Sequence, residues 1–80
     1  MKIKVLGPGC KNCAALEKVT VEAVHSLGMD ATVEKVTDYR AIVATGVIAT
    51  PALVLDDRVV CAGRVPTARE VAELITTHGG

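Results

Sequence analysis

Eighty residues, half of them hydrophobic, with nine basic and nine acidic side chains that cancel, make one domain with a core of limited size. The charges are scattered and the single aromatic is Tyr39, which excludes the basic stripe and stacking aromatics of a nucleic-acid binder. No apolar run approaches the roughly 20 residues of a membrane span, and three cysteines do not suit a secreted disulfide framework, so a cytoplasmic domain over residues 1–80 is expected.

Residues 2 to 7 alternate as a strand, Ile3 and Val5 against Lys2 and Lys4. This apolar start breaks at Gly7 and is too short for a secretory leader. A first helix is expected from about Cys10 to Leu27, with Leu16, Val19, Ala23, Val24 and Leu27 as its apolar stripe and Gly28 as its left-handed stop. Residues 31 to 36 alternate again and suit a second strand near a sheet edge, parallel to the first because a helix joins them. Thr37 or Asp38 caps a short helix over 39–45, ended by Gly46. After Thr50-Pro51, Ala52 to Leu55 form a third strand, Asp56-Asp57-Arg58 a tight turn, and Val59 to Ala62 an antiparallel fourth strand ending at Gly63. Cys61 alternates within that strand and reads as a small buried residue. Thr67 and Glu70 match a capping box for a last helix over 68–77, which turns Val71, Leu74 and Ile75 to the core. The order βαβαββα implies an α/β fold whose four-stranded mixed sheet runs 2-1-3-4, with helices on both faces.

Chemistry concentrates in Gly7-Pro8-Gly9-Cys10-Lys11-Asn12-Cys13, a turn between the first strand and the first helix. Cysteines three positions apart at a helix start close a small disulfide ring or share one metal ion. The unpaired N–H groups of the first turn and the helix dipole favour a thiolate there. Cys10 lies on the solvent side and Cys13 one turn inward, so Cys10 is the expected attacking thiolate and Cys13 the resolving thiol. Lys11 places a positive charge beside the sulfurs and favours ionisation, and Asn12 in the same turn is expected to tune the thiols with it. His25, mid-helix, and His78, in the tail, are expected to be solvated. Lys4, Asp38 and Tyr39 are not placed relative to the pair by sequence alone.

The order of elements, the CxxC between the first strand and first helix, and Thr50-Pro51 before the third strand resemble the thioredoxin-like superfamily in its minimal form. The whole chain is similar to the small thioredoxin-like or glutaredoxin-like redox-active disulfide proteins of bacteria and archaea. The resemblance implies a thiol-disulfide oxidoreductase that cycles a Cys10–Cys13 disulfide and needs no bound cofactor or metal. Its substrates would be disulfides of proteins or small molecules, and its reductant a thioredoxin-reductase-like flavoenzyme or glutathione. It also implies that Pro51 is a cis-proline facing the pair, and that Thr50, Pro51 and Gly9 bind the substrate chain. The size and low charge suit a monomer or a weak dimer. The chain departs from the thioredoxin pattern in carrying Gly9 in place of the Trp before the pair and Lys11-Asn12 in place of Gly-Pro within it. Two alternatives remain open. A soft-metal carrier would use the same pair, as in heavy-metal-associated domains, although those end in a strand. A redox-regulated adaptor would bind one partner without turnover.

Overall fold

The structure, a computed structural model, describes residues 1–9, 11–47 and 49–79. Its elements are β1 (Lys2–Leu6), α1 (Lys11–Ser26), β2 (Thr32–Val36), α2 (Tyr39–Ala44), β3 (Ala52–Leu55), β4 (Arg58–Ala62) and α3 (Ala68–Gly79). The sheet runs β2-β1-β3-β4, with β1 and β2 parallel and the other two pairings antiparallel. This is the minimal thioredoxin-like arrangement expected from the sequence.

Alternation along the central strands separates two layers of core. Ile3, Val5, Leu53 and Leu55 face Leu16, Ala23 and Val24 of α1 and Val71 and Ile75 of α3. Leu6, Ala52 and Val54 point the other way, onto Ile42 of α2. All four residues of β3 are buried, which explains why its sequence is a continuous apolar run rather than an alternating one. Each such aliphatic side chain contributes ~1.5–3 kcal/mol relative to leaving it in water.

The helix ends follow their local chemistry. At the end of α1 the Gly28 amide donates to the His25 carbonyl (3.1 Å) and Met29 to Val24 (3.2 Å), a Schellman closure that needs the positive φ of Gly28, 63°. Asp38 caps α2 by accepting the Arg40 amide at 3.3 Å. The capping box of α3 is reciprocal, with Glu70 N–H on Thr67 Oγ1 (3.1 Å) and Thr67 N–H on Glu70 Oε1 (3.2 Å).

Four expectations are corrected. β1 stops at Leu6, although the Gly7 amide extends the parallel ladder by one bond to Val36 O at 2.9 Å. Leu27 lies beyond the last helical residue of α1 and is 38% exposed, and Thr20 takes a buried place on that helix by donating its hydroxyl to Leu16 O at 2.7 Å. Arg58 belongs to β4, because the hairpin loop is only Asp56-Asp57, both at positive φ (49° and 68°). His78 lies within α3 rather than in a loose tail.

Candidate functional site

The pairing Leu6↔Ala52 sets the geometry of the site. It puts the segment leaving β1 and the segment entering β3 at the same end of the sheet, where α1 also begins. Cys13 and Pro51, 38 positions apart in the chain, are placed at the same end of the sheet by this one antiparallel register.

Cys13 is buried, 2% exposed, in the first turn of α1, and it is disulfide-bonded. Cys10 lies outside the described residues. Lys11 and Asn12 beside Cys13 are exposed, as is Gly9, whose φ of 92° is a left-handed conformation that favours glycine. The backbone of Gly7 lies directly against Cys13. A Cβ placed on Gly7 would clash with Cys13 Sγ and lie 2.8 Å from Cys13 Cβ.

On the segment entering β3 the Thr50–Pro51 peptide is cis. Thr50 is exposed and Pro51 buried, and the Pro51 carbonyl accepts the Gly63 amide at 2.9 Å. That bond joins the start of β3 to the end of β4 beyond the last paired residues, Ala52 and Ala62.

Fold, register and a cysteine of the first helical turn now stand together, and comparison with known proteins agrees with them. The family model for the thioredoxin domain matches residues 1–76. The chain belongs to the thioredoxin family. The thioredoxin of Methanothermobacter thermautotrophicus is 40% identical over 76 residues, covering 95% of this chain and 99% of that protein. The thioredoxin of Methanocaldococcus jannaschii is 36% identical over 76 residues, covering 95% of this chain and 87% of that one.

The remaining polar residues of this thioredoxin-family domain serve other places. Lys4 points toward the opposite end of the sheet, where Nζ lies 3.9 Å from Asp57, while Asp38 is spent on its cap and Tyr39 is 73% exposed. At that far end Asp56 ties three elements together. Its Oδ1 accepts the Lys2 amide (2.9 Å), its own amide donates to Lys2 O (2.9 Å), and its Oδ2 lies 3.3 Å from His78 Nε2 of α3. The Lys2 N–H, helped by the His78 ring, holds the Asp56 carboxyl below its ordinary range. Glu70 is lowered likewise, first by the Thr67 N–H and then by the Arg64 guanidinium at 3.2 Å. Cys61 is a free thiol, 8% exposed in the α1/α3 layer of the core. His25 is exposed on α1. Among the described residues, no helix is long and apolar enough to cross a membrane.

Sequence reasoning missed two relationships. The contact of Gly7 with Cys13 is hidden among three turn residues, Gly7, Pro8 and Gly9, whose composition signals only a bend. The Asp56–His78 pairing joins residues 22 positions apart on different elements, and no local signal reports it.

Proposed function

We propose that this protein is a thiol-disulfide oxidoreductase whose working group is the Cys10–Cys13 pair. The observation that carries this reading is the state and place of Cys13: disulfide-bonded, buried in the first turn of α1, and at the sheet end shared with Thr50-Pro51. Membership of the thioredoxin family supports it. In the proposed cycle the Cys10 thiolate attacks a substrate disulfide and forms a mixed disulfide, releasing one substrate sulfur as a thiolate. The substrate backbone lies along Thr50 and Pro51, with Gly9 leaving room on the other side of the sulfur. Cys13 then attacks Cys10, closing the internal disulfide and freeing the second substrate sulfur. The exposed Lys11, flanked by Asn12, favours the Cys10 thiolate by its charge. The oxidised pair is returned to the dithiol by a flavin-dependent reductase or by glutathione. The substrates are disulfides of proteins or small molecules, the sulfurs replace any bound cofactor, and the protein works as a monomer in the cytoplasm.

The test is a redox titration of the metal-free protein, with the cysteines alkylated and weighed at each poise. A two-electron transition between about −300 and −120 mV is expected. Failure to form the disulfide at any poise, with tight binding of a soft metal through both sulfurs, would replace this reading with metal transfer.

A further inference from the structure

We infer that Gly7 is a positioning residue for Cys13, fixing where the resolving sulfur rests by presenting bare backbone to it. The inference rests on the exchange cycle proposed above. It begins from what glycine is needed for at this position. Gly9, Gly28, Gly46 and Gly63 adopt positive φ, but Gly7 does not, so its backbone is open to other residues. The space beside it is not. A methyl group on Gly7 would clash with Cys13 Sγ and approach Cys13 Cβ to 2.8 Å, closer than the 3.0 Å that real Cβ atoms respect.

Neither wall can retreat. Gly7 is held by its amide bond to Val36 O at 2.9 Å, directly after Leu6, which is paired with both Val36 and Ala52 in the middle of the sheet. Cys13 is held by α1, whose next buried positions, Leu16 and Thr20, are fully enclosed. With backbone rigid on both sides, the sulfur is the part that must move when volume is added.

The consequence falls on the second chemical step. There the Cys13 thiolate attacks the Cys10 sulfur of the mixed disulfide, the Cys10–Cys13 bond forms, and the bond from Cys10 to the substrate sulfur breaks. The substrate leaves as a thiolate and takes a proton from solvent, so the step needs no outside oxidant. Its rate depends on the placement of the Cys13 sulfur, whereas the first attack, by Cys10, does not involve that sulfur. In the disulfide the Cys13 sulfur is tethered against the Gly7 wall, whereas as a free thiol it turns about its Cα–Cβ bond and relieves the Sγ contact, leaving the Cβ contact common to both forms. Gly7→Ala should therefore disfavour the oxidised form.

The experiment follows reduced wild type and Gly7→Ala reacting with dithio-bis-nitrobenzoate, whose released thiolate is coloured and reports each step separately. The first release should be unchanged. The second should slow by on the order of tenfold to a hundredfold, as a ~1 Å misplacement of a reacting atom does. The midpoint potential should rise, by about 30 mV for each tenfold change in the equilibrium. If wild type shows both releases and a normal transition while Gly7→Ala matches it in second-step rate and potential, the inference is overturned and the exchange cycle stands. If wild type itself shows no second release and no transition, both fall. Folding is covered by a double-mutant cycle with Cys13→Gly, which deletes the opposing atoms. The stability loss from Gly7→Ala should largely vanish in that background, and an equal loss in both backgrounds overturns the inference.

Discussion

The Gly63 amide donates to the Pro51 carbonyl at 2.9 Å, and this bond ties the exposed Thr50 segment to the end of the outermost strand. Gly63 makes it from a φ of 79°, with the space where its Cβ would stand only 3.2 Å from Ala49 Cβ. Both conditions penalise a side chain. Gly63→Ala is expected to lower unfolding free energy by ~1–2 kcal/mol, the cost of a left-handed conformation for a residue with a Cβ. Urea unfolding measures it, and an unshifted midpoint would show that Ala49 and the loop relax freely.

The two cysteines of the pair should behave asymmetrically toward a disulfide substrate. In Cys13→Ser the mixed disulfide on Cys10 has no resolving thiol and should accumulate as a covalent adduct visible by mass under non-reducing conditions. Cys10→Ser should trap almost none, because Cys13 is enclosed at 2% exposure. Equal trapping by both variants would dissolve the assigned roles.

Acid should unfasten two ends of the fold before it touches the core. Asp56 is held below its ordinary range by the Lys2 N–H, and Glu70 by the Thr67 N–H with Arg64 beside it. Because the folded state prefers each carboxyl ionised, the stability they contribute is present above their unfolded values, about 4. It is lost as pH falls through the lower folded values. Both groups are solvent-exposed, so the effect is modest. Asp56→Asn with Glu70→Gln should flatten the pH dependence of the thermal midpoint below about pH 4. A double variant that kept the wild-type slope would locate acid sensitivity elsewhere.

Much of this domain was legible from local pattern. Alternation over residues 2–6, helical spacing through Leu16, Ala23 and Val24, the Gly28 stop and the Thr67/Glu70 box each act within a few residues, and each appears where its chemistry requires. The errors are local too, but they arise where distant atoms intervene. The two-residue hairpin loop lets Asp56 and Asp57 adopt positive φ, where one carboxylate of the pair is bonded back to Lys2. The tail helix carries His78 into reach of Asp56 because α3 packs over the end of the sheet.

The sequence by itself determined the element order and where the closely spaced cysteines fall in it, since hydrophobic period, caps and the CxxC spacing are short-range properties. Only the tertiary structure decided how the sulfur is held. The register Leu6↔Ala52 brings the turn after β1 level with Pro51, and the missing side chain of Gly7 lets β1 close on Cys13. Both depend on steric contact between segments far apart in the chain, and contact of that kind leaves no periodic trace.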